Sequence, residues 1–253
     1  MTDPVLWAKT DDGVVTLTLN RPEARNALNT AMAEALLAGV RRVVAEEAKL
    51  VLVRANGSVF CAGADLKERK GMDEDQVRAR RLKGFVAYDA LERLPMPSIA
   101  VVEGAAVGSG GEIAAACDFV VATPAASFRT PEALWGTVGA TQRLPRIIGK
   151  RLAKDMMFTG RTLSAPEAVQ AGLVSRLVEA DALEDTLAEM ARTIAAAPAS
   201  ALRQAKRCID EGVERDPRGA LATELMAIEE NLAEGAWRRT MAGFGASSGK
   251  AAE

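Results

Sequence analysis

The segment from Ile99 to Asp118 restricts the possible folds of this chain more than any other. A short apolar run, Ile99 to Val102, gives way to Gly104, then to small residues and the glycines Gly108, Gly110 and Gly111. An alanine-rich stretch follows, from Glu112 through Ala116. The apolar run reads as a buried strand, and Glu112 to Ala116 as the start of a helix. Glycines between them let the backbone pass close to a ligand, so main-chain N–H groups can point into a cleft at a helix N-terminus. Such a place suits a developing negative charge, with a carboxylate one turn inside the helix available for proton chemistry.

The same plan occurs earlier in the chain. Val14 to Asn20 alternates through Val15, Leu17 and Leu19 as a strand after the turn Asp11 to Gly13. A breaker-rich loop, Arg21 to Asn29, precedes a helix that Thr30 caps and that runs to about Glu47. Leu36, Leu37, Val40, Val43 and Val44 are expected on its inner side. Leu50 to Val53 reads as a second buried strand, leaving through the small-residue loop Arg54 to Lys67. A charged segment, Lys67 to Gln76, leads into a long helix that Pro95 and Pro97 stop near Leu94. Ile99 to Glu103 then repeats strand, glycine, small-residue loop and helix, without close identity between the two turns. Short strands are expected at Phe119 to Ala122 and Ala126 to Phe128, before an acidic loop from Arg129 to Leu134.

Beyond Thr141 helices dominate: 141–148, 150–159, 165–171, 180–196, 200–212 and 217–244, interrupted by the apolar run Leu173 to Val178. Such helices without a sheet are expected to cover the outside of a domain or a partner subunit, so an oligomer is expected. The reading divides the chain into an α/β unit over 1–195 and a helical region over 196–253, whose small, polar tail from Gly243 is expected to be loose.

Composition matters most through one zero. The 253 residues contain no histidine. That removes Ser-His-Asp and Cys-His nucleophile systems, HExxH zinc sites and the commonest general base. Tyr88 is the single tyrosine, so carboxylates lead as proton carriers. A net charge of −2 gives no reason to expect nucleic acid or an anionic membrane as partner. Cys61, Cys117 and Cys208 form no CxxC pair, which suits a reducing cytoplasm. The start of the sequence lacks a secretory pattern, and no apolar stretch is long enough to cross a bilayer.

Glu112 and Glu132 are the candidate catalytic pair. The plainer reading makes Glu112 a residue favoured by the helix dipole and Glu132 a solvated loop acid. Against it, Glu112 lies between glycines and a helix that looks buried, where an unpaired carboxylate needs a reason. Two carboxylates sharing a pocket repel, which leaves one as acid and one as base. The loops Cys61 to Asp65 and Gly108 to Gly111 are either plain turns or donors of one N–H each to a developing oxyanion. A nucleophile elbow around Ser109 would need glycine where Val107 stands. A dinucleotide fingerprint fails because Ile113 replaces its third small residue.

These residues resemble the crotonase, or enoyl-CoA hydratase/isomerase, superfamily over nearly the whole chain. Six stretches carry the resemblance in the family's order: 19–28, 60–68, 104–118, 128–132, 141–146, and 159–161 followed by 165–175. The resemblance implies an α/β fold, a crotonase-like ββα spiral with a C-terminal helical trimerisation region, usually assembled as a dimer of trimers. It implies an acyl-CoA thioester substrate whose carbonyl lies between the N–H groups of Ala64 and Ser109, serine standing where glycine is usual. No metal or redox cofactor is implied, CoA being part of the substrate. Glu112 and Glu132 match both glutamates that hydratases use: the first helps deliver water to C3 and the second supplies the C2 proton. Arg25, Ala27, Ala62, Ala64, Asp65, Leu66, Lys67, Ser109 and Pro131 match positions around the CoA and acyl group. The first expectation is therefore a 2-enoyl-CoA hydratase. A hydratase of branched 3-methylglutaconyl-CoA, a Δ3,Δ2-enoyl-CoA isomerase and a non-catalytic RNA-binding member are the alternatives. The loop Ala133 to Ala140 is shorter than the family pattern by about three residues, a difference typical of functional loops. A basic Lys-Arg-x-Pro ending is also missing.

Overall fold

A computed structural model describes residues 3–243; the tail from 244 lies outside the described residues. The chain opens with strands β1 (Val5–Lys9) and β2 (Val14–Leu19), a 3-10 turn at Pro22–Ala24, helix α1 (Thr30–Ala45) and strand β3 (Leu50–Ala55). Helices α2 (Leu66–Arg69) and α3 (Glu74–Glu92) lead to strands β4 (Ser98–Val102) and β5 (Ala105–Val107), then helix α4 (Ser109–Ala115). Strands β6 (Phe119–Ala122) and β7 (Ser127–Arg129) precede a second 3-10 turn at Glu132–Trp135. Next come α5 (Arg143–Ile148), α6 (Lys150–Thr159), β8 (Thr162–Ser164), α7 (Ala165–Gln170) and β9 (Arg176–Leu177). Four helices end the described chain: α8 (Leu183–Ala196), α9 (Ala199–Gly212), α10 (Pro217–Glu234) and α11 (Ala236–Gly243).

The strands form two sheets, ordered β1-β2-β3-β4-β6-β9 and β5-β7-β8. From β2 to β9 the larger sheet is parallel, and β1 pairs antiparallel with β2. Continuous apolar runs suit this sheet because both its faces are buried. Val51, Val53, Ala100, Val102 and Val120 point into the main core with α1, α3 and α4. Their neighbours Leu50, Leu52, Ile99, Val101 and Val121 point to the other side, where Leu183, Leu187 and Met190 of α8 cover them. The period-2 alternation of each strand thus fills two cores from one run of sequence.

Several boundaries differ from the sequence reading. Asn29, not Thr30, caps α1: its side chain accepts the Met32 N–H, while the Thr30 N–H goes to the Glu68 carboxylate. On α1, Leu36, Val40 and Val43 are buried, Leu37 is half-buried and Val44 is exposed. The strand β1 carries little alternation and escapes sequence analysis; its Trp7 half-buries under the Arg42 guanidinium, 4.3 Å from the ring centre. The expected small-residue loop after Gly104 contains the strand β5, and α4 begins three residues before Glu112. The expected helix over 217–244 is two helices, because Gly235 takes a left-handed conformation (φ 70°) that ends α10. No helix among the described residues is long and apolar enough to cross a membrane.

The two layers meet where loops run backbone against backbone. Cys61 pairs with Ala106, its N–H donating to the Ala105 carbonyl (3.1 Å) and its carbonyl accepting from Val107 (2.9 Å). Asn26 is fully buried beneath this region, its amide donating to the Asn56 and Val59 carbonyls at 2.8 Å each. At the outer edge, Lys206 of α9 pairs with Asp118 at 2.6 Å, and Asp118 also accepts the Ser98 N–H at 2.7 Å. Gly104 is needed where the loops touch: a methyl group there would stand 2.2 Å from the Ser58 carbonyl oxygen. Gly104→Ala is accordingly expected to destabilise the fold by about 1–3 kcal/mol, the usual cost of overpacking. Urea unfolding would show this as a lower midpoint at unchanged slope; an unchanged midpoint would mean the two loops separate freely.

Candidate functional site

Strand pairing brings the two glutamates together. β5 and β7 run parallel with Val107 opposite Arg129, so the segments leaving them begin side by side. The Gly108 N–H donates to the Arg129 carbonyl at 2.9 Å, fixing that start. One segment becomes α4, placing Glu112 one turn in; its N–H returns to the Gly108 carbonyl at 3.0 Å. The other passes Pro131 into the 3-10 turn, placing Glu132 at its first position. Gly108 adopts φ 51°, and a methyl group on it would stand 2.5 Å from Glu132 Oε1. The carboxylate of one segment therefore rests against the bare backbone of the other.

The third wall is the loop after β3. Leu28 and Ala64 form a parallel bridge in which the Leu28 N–H donates to Gly63 (2.7 Å) and the Asp65 N–H to Leu28 (2.9 Å). In a parallel bridge the central residue's own N–H points to the opposite side. For Ala64 that is the side away from Leu28. Ser109 is the first residue of α4, and the N–H of a first helical residue has no partner within its helix. Gly108 takes the left-handed turn that precedes the helix, and Ser109 is not among the residues with positive φ. A serine is therefore no obstacle at a position where glycine is usual. Gly110 has the same loop behind it, since a methyl group there would meet the Cys61 carbonyl oxygen at 2.5 Å.

Together these segments and α3 enclose a cavity of about 400 Å³. Ala62, Ala64, Leu66, Ser109, Glu112, Pro131 and Glu132 of the residues singled out from sequence all line it. Arg25, Ala27, Asp65 and Lys67 do not. Arg25 is exposed and its carbonyl accepts the Ala62 N–H at 3.0 Å; the Ala27 carbonyl takes an Arg21 N–H at 2.5 Å. Asp65 caps α2 and pairs with Arg21 at 3.0 Å, while Lys67 is exposed on the first turn of that helix.

Other lining residues come from α3, which the sequence did not single out, and from the loop Ala133 to Ala140, which it marked as functional. Arg80, Arg81, Gly84, Phe85 and Tyr88 come from α3, and Trp135, Thr137, Gly139 and Ala140 from the shortened loop. Arg80 is buried, pairs with Glu68 at 2.6 Å and also donates to the Leu28 carbonyl. Arg81 donates to Thr137 Oγ1 at 2.8 Å and to the Val138 carbonyl, tying the loop to α3. Their signal was the spacing of Arg80 one helical turn before Gly84 and two before Tyr88, all three on the buried stripe of α3. Arg143 is the other omission: its Nη1 donates to Glu112 Oε2 at 3.0 Å.

Electrostatics separates the two acids. Glu112 is 6% exposed, and burial pushes its carboxyl up while the Arg143 charge and hydrogen bond pull it down. Burial likewise pushes Glu132 up, and the charge of Glu112 pushes the same way; its own backbone N–H and Arg81 oppose. Glu132 Oε2 is buried and accepts no hydrogen bond among the described residues. Burial prevails at both, so both carboxyls stand above the ordinary range; they differ in that an arginine N–H bonds Glu112, whereas no side chain among the described residues bonds Glu132 Oε2. The Cys61 thiol is pushed by burial up to about 11 and is inert as a nucleophile at neutral pH.

Comparison with known proteins shows the family and the fold. A family model described as enoyl-CoA hydratase/isomerase matches residues 9–246. The chain is similar to a putative enoyl-CoA hydratase/isomerase, YngF, of Bacillus subtilis, with 38% identity over 92% of this chain and 91% of that protein. It is 36% identical to a short-chain-enoyl-CoA hydratase of Clostridium acetobutylicum, over 86% of this chain and 85% of that one. Among solved structures, an enoyl-CoA hydratase of Mycobacterium smegmatis superimposes with a TM-score of 0.92 at 34% identity, covering 96% of each chain.

The shared field of the two acids is testable without any ligand. Glu112→Gln removes a charge that raises Glu132, so the Glu132 carboxyl is expected to titrate at lower pH in that variant. Carbon-13 carboxyl NMR over an acid titration checks this. An unmoved Glu132 midpoint would mean that the two groups do not share one site.

Proposed function

Because this chain belongs to the enoyl-CoA hydratase/isomerase family, we propose that it is an enoyl-CoA hydratase. The reaction is reversible addition of water across the 2,3-double bond of a 2-enoyl-CoA to give a 3-hydroxyacyl-CoA. One observation carries the reading: two carboxylates, held differently, border the same cavity as two main-chain donors. Moving a proton between carbons, as an isomerase does, needs one such acid. Adding water needs one group to take a proton from oxygen and another to give one to carbon, and this favours hydration.

In the proposed reaction the thioester oxygen accepts the N–H groups of Ala64 and Ser109. Negative charge grows on that oxygen as C3 is attacked, so these donors act more strongly in the transition state than on the substrate. Ionised Glu112 takes a proton from the water whose oxygen bonds to C3. Protonated Glu132 gives its proton to C2. The pair ends with its charges exchanged, and return of one proton from Glu112 to Glu132 restores the starting state. Ala62, Leu66 and Pro131 shape the channel around the thioester, and Arg25, Ala27, Asp65 and Lys67 frame the outer loops proposed to meet the CoA portion.

Assembly as a homotrimer, or as a hexamer of two trimers, is part of the same proposal. Its support is the apolar surface of the C-terminal helices, where Ile209 and Val213 are 66% and 77% exposed and Leu221, Leu225 and Met226 are also uncovered. So many large apolar side chains left open to water favour burial, and a second copy of the chain offers the complement.

Mixing the protein with crotonyl-CoA and following loss of the enoyl absorbance tests the reaction. Glu112→Gln and Glu132→Gln are each expected to lower kcat by about 10²–10⁴-fold, the usual contribution of a positioned acid or base. Affinity for CoA should be spared, since both groups act mainly in the transition state. Binding of crotonyl-CoA without loss of absorbance, and likewise with linear and branched enoyl-CoAs, would replace hydration by another chemistry of the fold.

A further inference from the structure

Glu112 is not alone at the bottom of the site. Arg143, the first residue of α5, reaches it with Nη1 and turns its other edge to Glu92 at the end of α3. Nε and Nη2 donate to Glu92 Oε2 at 3.0 and 2.5 Å. One guanidinium therefore clamps two carboxylates carried by two different helices. The Arg143 side chain is 15% exposed and that of Glu112 8%, so solvent screens their pairing poorly. Arg143 engages only Oε2 of Glu112, which leaves Oε1 as the oxygen free to act.

We infer that Arg143, anchored by Glu92, is a positioning residue that aims Glu112, so that a Glu92–Arg143–Glu112 chain decides which of the two acids is the base. The inference rests on the hydratase reading for its role in turnover, but the electrostatic chain exists without it. The Nε and Nη2 bonds to Glu92 set the plane of the guanidinium, and with it the direction from which Nη1 reaches Glu112 Oε2, which a lysine ammonium would not do. Glu132 has no equivalent clamp: Arg81, the cation on its side, spends its hydrogen bonds on Thr137 and the Val138 carbonyl. The asymmetry between two chemically identical side chains thus comes from which one an arginine touches.

The charged and titratable groups around Glu112 are few. Glu92 and Tyr88 come from α3, Arg143 from α5 and Glu132 from the 3-10 turn. Behind them, Arg93 of α3 repels Arg143, and Asp210 of α9 feels the charge of Glu92. Two of these groups act on Glu112 with opposite sign. The Arg143 cation favours its ionised form, and the Glu92 anion disfavours it. Glutamine at position 92 keeps an oxygen for the Arg143 Nε and Nη2 and removes only the charge, so the two glutamine variants are expected to move Glu112 in opposite directions, which loss of packing alone would not do.

Arg143→Gln and Glu92→Gln, with Arg143→Lys as the conservative variant, test this in the full-length protein. Glutamate-specific carbon-13 labelling, with Glu112→Gln to assign the resonance, reads the Glu112 midpoint directly. Arg143→Gln is expected to raise that midpoint, Glu92→Gln to lower it, and Arg143→Lys to stay near the parent. In crotonyl-CoA hydration, the acidic limb of kcat should move to higher pH in Arg143→Gln, because the base now protonates earlier. At neutral pH kcat should fall about tenfold or more, a part of the ~10²–10⁴ that a positioned base contributes, with KM little changed. An unmoved Glu112 midpoint in Arg143→Gln, or shifts of the same sign in both glutamine variants, overturns the inference. Should Arg143→Gln not fold, Glu92→Gln decides alone, and a midpoint that stays or rises overturns it. If the parent protein hydrates no enoyl-CoA, the functional reading fails while the titration still decides the role of Arg143.

Discussion

The contact on which the rest of this structure depends is between two stretches of bare backbone. The loop after β3 lies against β5 and the start of α4 with no side chain between them at Gly104 and Gly110. Cys61 pairs with Ala106 across that seam, and the parallel pairing of β5 with β7 extends it to Glu132. Everything that makes the cavity chemically useful follows from this approach. Ala64 and Ser109 stand on opposite banks of the seam, and the two glutamates leave the next pair of strands beyond it. A core of larger side chains would have filled the same space and left no place for a substrate.

Much of this was legible in the chain. The runs at Leu50 and Ile99 announced buried parallel strands, because only a sheet covered on both faces tolerates unbroken apolar sequence. The glycines before Glu112 announced a backbone brought close to something. The absence of histidine left carboxylates as the proton carriers before any geometry was known. What stayed hidden has a common physical cause. β1 shows no alternation in sequence because its outward residues, Leu6 and Ala8, are apolar like the inward ones, and β5 is three residues long, shorter than any periodicity can reveal. Both Asn29 and Thr30 are capping residues by type, and the structure separates them through the Asn29 side chain accepting the Met32 N–H while the Thr30 N–H goes to the Glu68 carboxylate.

The site itself was half legible. Glu112 and Glu132 could be named, but not the difference between them, which resides in long-range partners. Arg143 lies 31 positions from Glu112 and Glu92 51 positions from Arg143, and no local pattern links such residues. Arg80 and Arg81 were hidden by habit of reading: adjacent arginines on a charged helix look like a solvated face. Here one is buried against Glu68 and the other stitches a loop across the cavity. Long, flexible cations are the residues whose destination a sequence reveals least, since their stems lie along apolar surface while the heads travel.

The ion pair between Lys206 and Asp118 bears on how the molecule divides. Asp118 follows α4, the helix that carries Glu112, and it also fastens the first residue of β4. The ammonium that neutralises it comes from the helical region, not from the spiral. Cutting the chain before α9 would strand that carboxylate, only 23% exposed, beside the very turn that closes the Glu112 helix. The two regions are separable on paper but share a fastener, so the C-terminal helices are mechanical support for the acid at the centre.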